Sequence, residues 1–419
     1  VKLIGTLELV LALTVAWPLS SFAEFSNLPP ELEEDEAGLW MLVERHEQEL
    51  RTSNRIIEDQ NLHYYLHELT CRTVGDLCDG IRVYAIRAPG LNAFMMPNGA
   101  MFVQSGLLLR IEDDAELAAV LAHEVSHFQR RHSIESLRRW RKTSSTFAVL
   151  STLVAAAGTV AAASSDAYED AARAGTMTET GLLMLQAAGI IATFQLVAYD
   201  REQEKQADLD GIELMRKRNI DVTGAPRLWH KVIREQAAGG NQSGFSLLAT
   251  HPTPGERLAY LNKIGFSTNA PKSMNVPSSA IASTGAREIV DQYREQWLLD
   301  ELAVQHPSQF AAIAVAQAQM GVDPALSLYL SAKSWIAHAN KTRRSKRQRT
   351  QALQEALSAF EAGDRLEGGM QAEAYRDWGK VDAELDNPKS AKEKFERYLR
   401  RAPNAWDAEF IRRQIGNLE

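Results

Sequence analysis

The chain has 419 residues, of which 45% are hydrophobic and 24% charged, with a formal net charge of −8. This is the balance of a folded chain long enough for two or three domains, and it excludes disorder as the dominant state. The acidic excess argues against a general nucleic-acid binder.

Residues 1–23 read as a signal peptide. Lys2 gives a thin positive start, Leu9 to Trp17 form a short apolar run, and Ser21 and Ala23 suit cleavage before Glu24. The run is short for a membrane span. Export lets the only two cysteines, Cys71 and Cys78, form one disulfide, worth about 2–3 kcal/mol.

Residues 24–265 are helical in pattern, interrupted by one strand-like island at 82–108. That island alternates over short stretches and is broken at Pro89-Gly90 and Pro97-Asn98-Gly99, which predicts three short strands joined by tight turns. A strong helix follows. Asp113 and Glu116 have capping-box spacing, and Leu117, Val120, Leu121 and Phe128 lie on a helical stripe.

This helix carries HEVSH, in which His123 and His127 are four residues apart and share a face. Their imidazoles can aim at one zinc ion, and Glu124 is placed to act as general base toward an activated water, the arrangement of HExxH metalloproteases. The chain holds an internal contrast in HYYLH, residues 63–67, where Tyr64 stands in place of the glutamate. His63 and His67 therefore read as structural. The competing reading of HEVSH is two solvent-facing histidines, but its apolar stripe would make unpartnered polar groups costly.

Two apolar runs, 147–163 and 181–198, are diluted by small residues and read as a buried or membrane-touching helical pair rather than a spanning hairpin. After the second comes REQEKQADLDG, residues 201–211. Glu204 is assigned as the third zinc ligand, and Asp208, one turn on, as a carboxylate that holds a ligand histidine's other N–H. Glu202 points elsewhere, and the small Ala207 allows close approach to the HEVSH helix. In THPTPGER, residues 250–257, His251 and Arg257 are candidate oxyanion-stabilising groups. His251 is alternatively a fourth zinc ligand that keeps the site latent.

Residues 266–286, rich in Ser, Pro and Asn, read as a linker. Beyond it, 287–419 is helical. Tyr375, Trp378, Gly379, Ala391, Phe395, Tyr398 and Pro403 have the spacing of one tetratricopeptide unit, with partial matches at Ala325-Tyr329-Ala332 and Ala356-Phe360-Gly363. A short helical-repeat array is expected, with a concave face free for a partner. The basic run KTRRSKRQR, 341–349, is either a solvated face or a contact for anionic lipid or an acidic patch.

HEVSH, then EKQAD from Glu204, then HPTPGER from His251, preceded by NAFMMPNGAMFVQSGLL from Asn92, together resemble the zinc metallopeptidase family that includes the CaaX prenyl endopeptidases and the heat-shock protease HtpX. The resemblance covers most of residues 60–265. It implies a mainly α, zincin-like domain with a small β-sheet, one Zn2+ per chain on His123, His127 and Glu204, and Glu124 as general base. It gives Asn92, Ala93, Phe94, Met95 and Met96 the role of an exposed strand edge for extended substrate. With an export signal and repeats, the architecture looks like that of periplasmic members of Gram-negative bacteria. That implies endopeptidase and chaperone-like work in quality control of unfolded or misassembled outer-membrane proteins, with the repeats meeting the β-barrel assembly machinery and with possible peripheral membrane contact. A chaperone or adaptor with a silent zinc site is the alternative.

Overall fold

The computed structural model of the chain describes residues 37–136, 199–239, 254–265, 289–321 and 323–418. The expected signal peptide, both apolar runs, His251 and the expected 266–286 linker lie outside them. No helix among the described residues is long and apolar enough to cross a membrane.

Helices α1 (Ala37–Arg51) and α2 (Gln60–Val74) precede the sheet. Asp59 caps α2 by accepting from the N–H groups of Asn61 and Leu62. His63, near its start, accepts the backbone N–H of Ala85 at 3.2 Å, so it fastens the first strand as a structural histidine would. Cys71 and Cys78 are joined by a disulfide at the end of α2.

The three expected strands are β1 (Arg82–Ile86), β2 (Ala93–Met95) and β3 (Ala100–Gln104). Their order is β1-β3-β2, with β3 parallel to β1 and antiparallel to β2. The β2–β3 turn closes through Gly99 N–H to Met96 O at 3.0 Å. Gly99 takes φ +87 there, in the left-handed region, and an added Cβ would stand 2.7 Å from the Gly80 carbonyl oxygen.

Every residue of β3 is buried because both faces of the sheet are covered. Met101 and Val103 face a large core with Leu62, Leu66, Leu121 and Val125. Ala100 and Phe102 face a smaller one with Val43 and Leu50 of α1. The architecture is therefore helix, sheet, helix, with α3 (Ser105–Arg110) and α4 (Asp114–Gln129) running on from the sheet. The cap of α4 differs from expectation in one half. Asp113 accepts from the Glu116 N–H at 3.0 Å, whereas the Glu116 carboxylate turns to Glu112 N–H and to Lys231. The buried Lys231 ammonium draws it away from the cap.

Helices α5 (Arg201–Lys217), α6 (Gly224–Gly239) and α7 (Pro254–Gly265) pack around α4. The C-terminal region comprises α8 (Arg294–Val304), α9 (Pro307–Gln319), α10 (Pro324–Lys341), α11 (Lys346–Asp364), α12 (Ala372–Glu384), α13 (Pro388–Arg401) and α14 (Ala408–Gly416). Among the described residues, this region divides between two cores. Trp297, Phe310 and Ile313 of α8 and α9 belong to the same core as α4. The buried Glu301 of α8 binds Arg110 at 2.7 Å and the Gly90 N–H at 2.6 Å. A second core begins at Tyr329 and gathers Phe360, Tyr375, Trp378, Phe395 and Tyr398, the positions the repeat spacing had singled out. The basic run 341–349 is largely exposed and extends from the last residue of α10 through the 342–345 turn into the first turn of α11.

Candidate metal centre

HEVSH occupies the middle of α4, and its polar residues are buried with the stripe: His123 is 7% exposed, Glu124 1% and His127 1%. Two solvent-facing histidines are therefore excluded. Helix α5 crosses α4 closely because Gly211 faces it. A Cβ at Gly211 would sit 3.2 Å from the His123 backbone nitrogen. The fully buried Ala207 packs one turn earlier on α5. This approach delivers Glu204, 1% exposed, to the histidine pair.

The distances define a donor cluster. His123 Nε2 is 3.0 Å from His127 Nε2. Glu204 Oε2 is 3.6 Å from His123 Nε2, and Oε1 is 3.4 Å from His127 Nε2. Two ligands held about 2.0–2.1 Å from a tetrahedral zinc are about 3.3 Å apart, so these separations suit one ion. Two imidazole nitrogens and one carboxylate are also a donor set found at catalytic zinc sites. Among the described residues, His123, His127 and Glu204 form a group able to hold a metal. The other such group, His67 with Cys71 and Cys78, has its sulfurs in the disulfide.

Asp208 lies 3.0 Å from His123 Nδ1, the ring nitrogen turned away from the cluster. It also accepts from Tyr260 and takes two bonds from Arg257, Nε at 2.8 Å and Nη2 at 2.6 Å. Burial pushes the Asp208 carboxyl up, but the charge of Arg257 and the contact with His123 outweigh it and hold the group well below the usual carboxylate range. Arg257 further donates Nη1 to Glu204 Oε2 at 2.5 Å and stacks 4.1 Å above the Trp229 ring. It thus stands in the site, as expected, but with its guanidinium engaged by two carboxylates.

Glu124 shares a cleft with His123 and Arg257, walled by Ala119, Val120 and Trp229. On the other side, the Tyr199 ring lies on His127 at 3.8 Å, nearly parallel. Its hydroxyl pairs with Ser133 Oγ at 2.8 Å. Burial, and then the nearby Glu124 charge, push the Tyr199 phenol up. His132 Nδ1 is 2.9 Å from His127 Nδ1. Burial pushes the His132 imidazole down, with Gln206 opposing.

The expected substrate edge is corrected in one respect. Asn92, Ala93, Phe94, Met95 and Met96 are all buried, with Ala93 at 0% and Met95 at 4%, so this edge is not open to solvent. Met95 fills the main core, while Phe94 and Met96 fill the smaller one, because a short strand sandwiched between layers sends side chains both ways.

Sequence reasoning missed Tyr199, Trp229, Tyr260 and His132. Tyr260 was within reach, three residues after Arg257 on one helix face. Trp229 and Tyr199 carry no spacing signal. His132 is five residues beyond His127, off its face in a continuous helix.

Residues 57–264 match the model described as Peptidase family M48. The chain is 23% identical to the beta-barrel assembly-enhancing protease of Escherichia coli over 323 residues, 72% of this chain and 62% of that protein. It is 28% identical to the mitochondrial metalloendopeptidase OMA1 of Schizosaccharomyces pombe over 216 residues, 51% of each. With the human mitochondrial metalloendopeptidase OMA1 it shares 24% identity over 186 residues, 43% of this chain and 32% of that one. The chain spans less than two thirds of each of these relatives. The region that holds the HEVSH helix and the carboxylates of α5, residues 57–264, is thus a peptidase family M48 domain.

Proposed function

We propose that the chain is a zinc-dependent endopeptidase of the Gram-negative periplasm acting on unfolded or misassembled outer-membrane proteins. The observation that carries this reading is the convergence of His123, His127 and Glu204, from two helices, at separations of 3.0 to 3.6 Å. The names of the bacterial relatives support the outer-membrane setting. The α10–α13 hairpins supply a surface suited to docking at the β-barrel assembly machinery and to chaperone-like contact.

His123, His127 and Glu204 would hold the ion. Zinc bound there supplies Lewis acidity, polarising the scissile carbonyl and acidifying water near neutral pH. Glu124 takes the proton of the attacking water and returns it to the leaving amine, the work of one general base and then acid. Asp208 keeps His123 oriented through Nδ1, and Arg257 holds the Glu204 and Asp208 carboxylates in register. The cleft beside Glu124 is the natural place for the substrate chain, with an apolar wall of Ala119, Val120 and Trp229. His251 remains the candidate for a second electrostatic group or a latency ligand.

Glu124→Gln tests the reading, with zinc content, hydrolysis of an unfolded protein substrate and outer-membrane integrity measured together. A fall in hydrolysis of about 10²-fold or more with zinc retained is expected. Unchanged hydrolysis would refute the mechanism. Lost hydrolysis with intact membrane integrity would shift the weight to the chaperone or adaptor role.

A further inference from the structure

Helix α4 ends at Gln129, two residues after His127, and its end is unusual. Arg131 takes φ 55, the left-handed region that non-glycine residues rarely enter. Its N–H donates to the Phe128 carbonyl at 2.9 Å. Had the helix continued, His132 would lie about 140° round from His127. The turn at Arg131 instead carries the His132 ring back beneath it, at 1% exposure.

From there a chain of contacts leads to the surface. His132 Nδ1 meets His127 Nδ1 at 2.9 Å, and His132 Nε2 meets Gln206 Oε1 at 3.3 Å. Gln206 Nε2 donates to Glu202 Oε1 at 3.3 Å. The directions follow from donor chemistry. The Glu202 carboxylate only accepts, so it fixes the Gln206 amide with its oxygen toward His132. That oxygen also only accepts, so His132 carries its proton on Nε2. His132 Nδ1 is then an acceptor, and His127 Nδ1 must donate to it. The Nε2 lone pair of His127 is left facing His123 and Glu204.

We propose that Glu202, Gln206 and His132 form an orienting relay that sets the Nδ1–H tautomer of His127 and so readies its Nε2 to ligate a divalent transition metal. The inference rests on the metal-site reading of His123, His127 and Glu204. His132 and Gln206 are positioning residues. The two histidines of HEVSH are thus oriented by different means, His123 by the charged Asp208 and His127 by a neutral relay backed by an exposed carboxylate. Orienting partners of metal-bound histidines typically change affinity by about 10–100-fold.

The test measures zinc affinity by chelator competition in the full chain for wild type, His132→Phe, His132→Asn, Gln206→Leu and His123→Ala. It also records the ¹⁵N signature of the His127 ring in zinc-free protein. His132→Phe is expected to weaken zinc binding about 10–100-fold. Gln206→Leu, which leaves His132 in place, is expected to weaken it by a smaller factor and to raise the Nε2–H fraction of His127. His132→Asn, which restores an acceptor oxygen, is expected to recover part of the loss. A zinc-free wild type with His127 protonated on Nε2 would overturn the relay. So would His132→Phe and Gln206→Leu binding zinc within about twofold of wild type while His123→Ala loses it. Undiminished zinc binding by His123→Ala would instead overturn the metal-site reading, and the relay with it.

Discussion

Arg257→Met removes the cation that faces two buried carboxylates while keeping a side chain of similar length. In the wild type, Glu204 is 1% exposed and Asp208 6%, and Arg257 bonds to both. Removing one partner of a buried pair costs about 3–5 kcal/mol, because the remaining charge is left without compensation. The melting temperature of metal-free protein should fall on the order of 10 °C. Zinc carries its own positive charge into the same cluster, so saturating zinc should narrow the gap between variant and wild type. The pH dependence has a definite sign. The Asp208 carboxyl is held below its ordinary range when folded, so its stabilisation is fully present above the unfolded value of about 3.9 and is lost as pH falls through the folded value. The difference between the two proteins should therefore shrink on acidification. Thermal melts with and without chelator, from neutral pH downward, provide the assay. A metal-free variant melting within about 2 °C of wild type at pH 7 would refute the argument.

Two further perturbations probe the frame around the site. Gly211→Leu forces a side chain into the 3.2 Å gap before the His123 backbone, and should cost about 1–3 kcal/mol and weaken zinc retention by separating α5 from α4. Denaturant melts and metal analysis check both effects, and full zinc retention would show that the close approach is not required. Glu301→Leu strips Arg110 of one carboxylate and the Gly90 N–H of its acceptor, and should destabilise the core by about 3 kcal/mol although it lies in the C-terminal region. A melt in which only the C-terminal helices loosen would contradict the shared core.

The sequence was most informative where chemistry and periodicity coincided. The HEVSH helix, its Asp113 cap and the three strands of 82–108 were legible, because each combines a strong period with turn or capping residues. Glu204 was legible only through its place in EKQAD, since a carboxylate run on a helix is ordinarily a solvated face. Its burial depends on Gly211 and Ala207, whose smallness matters only once α4 is opposite. The strand edge shows the reverse problem. Alternation in 92–96 signals a strand but cannot tell an open edge from one enclosed between layers. His132 was hidden because helical spacing assigns it to another face, and only the left-handed Arg131 overrides that. The core shared by α8, α9 and α4 was hidden for a related reason. The Ser- and Pro-rich composition of 266–286 carries no information on which apolar faces later meet.

The central claim is most directly tested by zinc stoichiometry and X-ray absorption on the purified chain, beside His123→Ala and Glu204→Ala. The account predicts one zinc per chain, with nitrogen and oxygen neighbours at about 2.0–2.2 Å, and loss of that zinc in both variants. Zinc retained with an unchanged absorption edge in Glu204→Ala would contradict it.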